Sequence, residues 1–294
     1  MIEIQHISKQ YEGVKAVDDL SIEVHKGRIF GFLGPNGAGK TTAIRMLMNI
    51  IMPDSGTILF DGSTERPKAS SVGYLPEERG LYQKISIFET LQYFAHLRNV
   101  RDADSKIRTY LHRFELGGRI HSKVSELSKG NQQKLQFLNT ILHDPEYIIL
   151  DEPFSGLDPV NQILLKEVLE EMKQAGKTII FSSHQMDQVE KICDDVALIN
   201  NGKLVTSGSL ANVMGSQENK ILQVRPVNEV DLTHGFFSEY QHEVKNGSIF
   251  IELGQKSKRS FIEELNQTID IRSVSVADPG LEAIFIDLVK GSEA

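Results

Sequence analysis

The segment Gly34-Pro35-Asn36-Gly37-Ala38-Gly39-Lys40-Thr41 holds the densest group of residues able to do chemistry. It follows the apolar run Ile29-Phe30-Gly31-Phe32-Leu33 and precedes a stretch of helical composition from Ala43 to Ile50, so it reads as a turn between strand and helix. Its glycines let successive backbone N–H groups turn inward, at a helix N-terminus that already favours anions. Such a loop cradles phosphate oxygens. In the pattern G-x-x-x-x-G-K-[ST], Lys40 reaches the β- and γ-phosphates of a nucleotide and the Thr41 hydroxyl ligates Mg²⁺. Gly34, Pro35, Asn36, Gly37, Ala38, Gly39, Lys40, Thr41 and Thr42 are the candidate nucleotide-binding residues.

A phosphate loop alone leaves the reaction open, and the acidic pair Asp151-Glu152 narrows it. Asp151 ends the apolar run Tyr147-Ile148-Ile149-Leu150, where a carboxylate at the carboxyl edge of a sheet can hold Mg²⁺ through water. Adjacent carboxylates point differently, so Glu152 is free to polarise an attacking water as general base. Without the phosphate loop the pair would be an acidic turn closing a strand; with it, catalysis is the better reading. His184 follows the run Thr178 to Ser182 at the same sheet edge and can contact the γ-phosphate and the water. In Leu127-Ser128-Lys129-Gly130-Asn131-Gln132-Gln133-Lys134, Ser128 is an N-cap opening a helix through Leu142. A hydroxyl, a glycine N–H and a helix N-terminus form a second anion site or only a capped helix, and spacing does not decide between them.

These residues need a sheet with its strand ends level. Tyr147 to Leu150 and Thr178 to Phe181 are unalternated β-rich runs, as expected of strands covered on both faces in a mostly parallel sheet. Between them Asp158 (N-cap), Pro159 (first helical position) and Gly176 (helix end) punctuate a helix, completing a βαβ unit. Residues 78 to about 142 carry helices without a strand signal, with Ser86 and Glu89 as a capping box, and read as a helical insert. After Leu210 to Gly215 the pattern restarts as short strands and two helices, over Ile221 to Val224, Ser248 to Ile251, Phe261 to Leu265, Ile271 to Val276 and Leu281 to Val289. The expected division is 1–215 and 216–294, an α/β domain followed by a small α+β domain.

Composition fits a globular chain: of 294 residues 40% are hydrophobic and 24% charged. No apolar run approaches the ~18 residues of a membrane span, so a chain neither secreted nor membrane-spanning is expected. The net charge of −8 provides no general attraction to nucleic acid or anionic lipid. The single Cys193, in the amphipathic stretch Met186 to Cys193, reads as a buried, inert thiol on a helix.

Taken in order, Gly34 to Thr41, Leu127 to Gln133, Leu150-Asp151-Glu152-Pro153, Ser155-Gly156-Leu157-Asp158 and His184 resemble the nucleotide-binding domain of ABC ATPases over roughly residues 1 to 215. The resemblance implies a P-loop fold with a mostly parallel central sheet, an antiparallel β subdomain and the helical insert. It implies ATP and Mg²⁺ as ligands and Tyr11 stacked on adenine. It also implies a second nucleotide-binding subunit, making a homodimer in which each P-loop is completed by the other chain's Ser128, Gly130 and Asn131, with Asp158 at the interface.

Three positions depart from the family pattern. Lys129 stands where a glycine is usual and Asn131 where a glutamine is, and Glu77 replaces a metal-touching glutamine after Val72-Gly73-Tyr74-Leu75-Pro76. Glu77 still offers an oxygen to Mg²⁺ but adds a negative charge beside ATP. With Glu77 to Tyr82 and the tail Pro279 to Phe285, these departures resemble the ATP-binding subunits of sodium and antibiotic exporters. Those work with a separately encoded integral-membrane permease, which implies a cytoplasmic protein held at the membrane's cytoplasmic face. The alternative, an ABC ATPase acting on nucleic acid or ribosomes, fits less well. Only 86 residues separate Thr41 from Ser128, the chain has one P-loop, and from Ser209 onward 8 basic residues face 13 acidic ones.

Overall fold

The structure, a computed structural model, describes residues 1–78, 80–215, 221–228, 230, 237, 240, 242–245, 247–252, 258–277 and 280–292. Arg79, Pro279 and the expected boundary at 216 lie outside the described residues. Backbone contacts divide the chain into Met1–Leu210 and Ala211–Ala294.

The first unit begins with β1 (Ile2–Tyr11), β2 (Val14–Val24), β3 (Ile29–Leu33), α1 (Lys40–Leu47), β4 (Ser55–Phe60) and β5 (Val72–Leu75). Three helices follow without an intervening strand, α2 (Ile87–Leu97), α3 (Ala103–Arg113) and α4 (Lys129–Ile141). The remainder is β6 (Tyr147–Asp151), α5 (Pro159–Gln174), β7 (Thr178–Ser183), α6 (Met186–Val189), β8 (Asp195–Asn200) and β9 (Lys203–Ser209), with α7 (Leu210–Gly215) across the division.

Six strands form the central sheet in the order β5-β6-β7-β3-β8-β9, parallel except for β9. Every residue of β3, β6 and β7 is buried, which is why their sequences do not alternate: helices cover both faces. A separate antiparallel sheet β2-β1-β4 buries alternate residues, among them Ile2, Ile4, Val17, Leu20 and Ile58, against the α1 side of the core. The Ser86 capping box forms on α2, and Asp158 accepts from Asn161 N at 3.0 Å to cap α5, a contact of about 1 kcal/mol.

Two elements differ from their sequence reading. Helix α1 starts at Lys40 rather than Ala43 and stops at Leu47, because Asn49 takes a left-handed φ of 56°. The helix expected from Met186 to Cys193 is one turn long. It closes with Ile192 and Cys193 N–H groups both on Val189 O, since the chain must reach β8 at Asp195. Cys193 is buried, and burial pushes its thiol well above the ordinary range, so it stays protonated.

The second unit has β10 (Ile221–Pro226), β11 (His242–Lys245), β12 (Ser248–Glu252), α8 (Lys258–Thr268), β13 (Ile271–Ala277) and α9 (Leu281–Ser292). Its antiparallel sheet runs β11-β12-β10-β13 over its own core of Leu222, Val224, Phe237, Ile249, Ile251, Phe261 and Leu265. Strand β11 was not legible as a strand in the sequence. No helix among the described residues is long and apolar enough to cross a membrane.

Candidate active site

Parallel register decides which loops meet. Ser182 in β7 lies opposite both Phe32 of β3 and Asp151 of β6, and Leu150 lies opposite Leu75 of β5. The strands therefore end level, and the turns after them open on one edge. That edge receives the loop 34–39, Pro76-Glu77, Glu152 and His184.

Loop 34–39 is shaped by backbone that only glycine tolerates. Gly39 has φ 102°, and a Cβ there would stand 2.2 Å from Ala16 O. Pro35, Asn36 and Gly37 form an exposed crest, Ala38 is buried, and α1 starts at Lys40 with Thr41 and Thr42 in its first turn. Lys40 is buried at the centre of the loop, its Nζ donating to Gly34 O (2.7 Å) and Pro35 O (3.1 Å). Burial pulls its ammonium below the usual lysine range, opposed in turn by the charges of Glu152, Asp151 and Glu77. Glu77 itself is exposed, and its charge reaches both Lys40 and the Tyr74 phenol.

The acidic pair sits in a small hydrogen-bond network. Asp151 Oδ1 accepts from Thr41 Oγ1 (3.2 Å) and from Ser182 Oγ. Asp151 Oδ2 is buried and has no hydrogen-bond partner among the described residues. A hydroxyl, a carboxylate with an unengaged oxygen and a neighbouring carboxylate are the hard oxygen donors that suit Mg²⁺, so the residues fit that ion. Glu152 turns away from Asp151 because its backbone sits at φ 51°, a left-handed conformation uncommon outside glycine, held by its N–H donating to Ser182 Oγ at 3.0 Å. Its carboxylate lies 3.8 Å from Lys40 Nζ and accepts from His184 Nδ1 at 2.9 Å. A carboxylate only accepts, so Nδ1 carries the hydrogen and the second ring nitrogen of neutral His184 is an acceptor.

The structure thus brings together Lys40, Thr41, Glu77, Asp151, Glu152 and His184. Ser128, Gly130 and Asn131 are elsewhere in their contacts. Ser128 Oγ accepts from Asn131 N at 3.3 Å as the N-cap of α4, and a Cβ on Gly130 would lie 3.1 Å from Gly156 O. No hydrogen bond or ion pair among the described residues joins the three to the Lys40 cluster. Tyr11 ends β1 with its ring exposed and Lys9 Nζ 5.8 Å from the ring centre. Sequence reasoning missed Ser182, whose signal was a serine inside an otherwise apolar buried strand. It also missed Gln133, which donates from α4 to Pro153 O at 3.1 Å.

The family model described as ABC transporter matches residues 17–155, spanning the phosphate loop through Glu152. YhaQ of Bacillus subtilis, an uncharacterized ABC transporter ATP-binding protein, is 37% identical over 293 residues, which is 98% of each chain. The chain belongs to the ABC transporter ATP-binding family. NatA of the same organism, another ABC transporter ATP-binding protein, is 35% identical across 76% of this chain and 95% of its own. Among solved structures an ATP-binding subunit of an ABC transporter superposes with a TM-score of 0.67 at 29% identity, covering 74% of this chain and 92% of that one. CbiO1 of Clostridium perfringens, at 24% identity and a TM-score of 0.63, shares the fold. The cluster around Lys40 therefore belongs to an ABC transporter ATP-binding subunit, a family whose ATP-binding domain implies ATPase activity.

Proposed function

We propose that this chain hydrolyses MgATP as a dimer and drives a separate membrane permease, most simply as an exporter. The observation that carries the reading is the Glu152 carboxylate held between the Lys40 ammonium at 3.8 Å and His184 Nδ1 at 2.9 Å. Residues 34–42 bind the triphosphate, with Lys40 facing its β- and γ-oxygens. Thr41, Asp151 and Glu77 would hold Mg²⁺, which when bound offsets phosphate charge. Glu152 takes the proton of the water that attacks the γ-phosphorus as the bond to the ADP oxygen breaks. His184 orients that carboxylate and, only when protonated, donates to a phosphate oxygen as well. Tyr11 stacks on adenine, and the partner copy brings its Ser128, Gly130 and Asn131 to the phosphates. Residues 216–294 form an accessory domain.

The similarity to YhaQ and NatA, both ABC transporter ATP-binding proteins, supports a transporter subunit. The subfamily rests on the departures at Lys129, Asn131 and Glu77 together with Glu77 to Tyr82, the extra C-terminal domain and the tail Pro279 to Phe285, and the export direction on analogy with that subfamily. Glu152→Gln is expected to bind ATP normally while turnover falls at least ~10²-fold and ATP-bound dimer accumulates. Turnover near that of the parent would remove Glu152 from the general-base role. Identification of the membrane protein that co-purifies in detergent tests the permease.

A further inference from the structure

We propose that Gln136 is the positioning residue for Glu77, tying the carboxylate beside Lys40 to the helix that begins at Ser128. The inference rests on the reading of Glu77 as a Mg²⁺-facing residue, and it starts from an unmet need of the sheet. Strand β5 is an edge, paired only with β6, so every second carbonyl along it points away from the sheet. Those carbonyls belong to Val72 and Tyr74, and the same spacing continues through Pro76 and Glu78. Side chains meet each of them, although the Thr140 hydroxyl also donates to Gln136 O at 2.9 Å. Thr140 Oγ1 approaches Tyr74 O at 3.3 Å, and Arg98 donates to Val72 O at 3.0 Å. Gln136 Nε2 donates to both Pro76 O (3.0 Å) and Glu78 O (3.2 Å).

One amide thus grips the backbone on both sides of Glu77 and leaves the carboxylate itself exposed, with its charge acting on Lys40. Helix α4 can come this close because residue 73 is glycine: a Cβ there would lie 2.4 Å from Thr140 O. The orientation of the amide is forced, since the reverse would set Oε1 against two carbonyl oxygens. Gln136 is buried, and its Oε1 has no hydrogen-bond partner among the described residues. A side chain chosen for packing alone would not bury that oxygen unsatisfied; the two bonds around Glu77 are what the amide supplies. Because Gln136 lies two turns after Ser128 on α4, Glu77 is held to the frame of the helix carrying the second anion site.

The test uses the full chain and reads nucleotide binding, not turnover. A fluorescent ATP analogue is titrated with Mg²⁺ in the parent, Gln136→Met, Glu77→Ala and the double variant. Glu77→Ala should raise the Mg²⁺ needed for half-maximal binding about tenfold, and Gln136→Met, equal in length but unable to donate, should move it in the same direction by about threefold or more. In the double variant the requirement should equal that of Glu77→Ala alone, because Gln136 acts through Glu77. If Gln136→Met does not fold, Gln136→Asn, an amide too short to span both carbonyls, carries the same expectation. An unchanged Mg²⁺ requirement in the Gln136 variant overturns the proposal, as does an effect that adds in full to that of Glu77→Ala. No change in Glu77→Ala itself would overturn the metal-facing reading of Glu77, and the inference with it.

Discussion

At the level ends of β3, β6 and β7, Lys40, Glu152 and His184 are joined by contacts of 3.8 and 2.9 Å, and Asp151 is linked to Thr41 at 3.2 Å. At the start of α4 the donors are equally well built, but the Ser128 hydroxyl only caps its own helix. The first region takes its geometry from strand register, which fixes positions far apart in sequence to one edge. The second takes its geometry from one helix and its neighbour Gly156, and among the described residues no hydrogen bond or ion pair joins Ser128, Gly130 or Asn131 to the Lys40 cluster. One chain therefore assembles the ammonium, the carboxylates and the imidazole, and leaves Ser128 exposed at the capped start of α4. The proposed site shared between two copies would require this difference.

The largest effect should come from dividing the two regions between chains. Homodimers of Lys40→Ala and of Ser128→Arg are each expected to be inactive, since both of their composite sites lose a required part. In the purified mixed dimer, a site built in trans leaves one copy with intact Lys40 and intact Ser128, and single-turnover ADP formation should reappear. With a site built in cis every copy carries a defect. ADP at the homodimer background, in a preparation shown to be mixed dimer, would sink the trans arrangement and with it the meaning given to the comparison.

A smaller effect tests whether the first region is rigid for the reason given. Ser182 Oγ donates to Asp151 Oδ1 and accepts from Glu152 N, so one hydroxyl sets the pair of carboxylates apart. Ser182→Ala leaves a buried N–H unpaired at a left-handed residue and should cost about 1–3 kcal/mol in denaturant unfolding. Turnover should drop roughly tenfold while ATP affinity stays within about threefold, because the loss falls on orientation of the general base. Equal losses in affinity and turnover would assign Ser182 to nucleotide binding instead.

Much of the residue cluster at the sheet edge was legible because its signals are local in sequence. Gly34 to Thr41 declare a phosphate loop by type and spacing, and Asp151 and Glu152 are marked by the apolar strand before them. Ser182 and Gln136 were not legible. Their partners are backbone groups 30 to 60 residues away in sequence, and only register and helix packing reveal them. For the same reason β11 stayed hidden: four residues with a single apolar side chain carry no periodic signal until β12 pairs with them. The helix expected to reach Cys193 failed on a tertiary demand, the need to enter β8, that local composition does not register.

The smallest effect concerns how α4 is anchored at its far end, the counterpart of its outward-facing start. Just beyond α4, His143 lies 3.1 Å from Val72 O and in contact with Arg98, with Asp144 and Lys177 also acting on it. Burial, then the Arg98 charge, pulls its imidazole down from 6.5 to about 4. The folded protein thus keeps His143 neutral where the unfolded chain would bind a proton. Its contribution to stability is complete above the unfolded value of 6.5 and is lost progressively as the pH falls towards the folded value of about 4. For this partly buried ring the loss at pH 4.5 should be about 2 kcal/mol after allowance for solvent screening. His143→Gln keeps hydrogen-bonding capacity without titrating, so its denaturant midpoint should fall less steeply than the parent's between pH 6.5 and 4.5. ATP binding at pH 7.5 should be unaffected, since the anchor lies away from the Lys40 cluster. Parallel stability curves for parent and variant would show that protonation of His143 does not release the anchored end of α4.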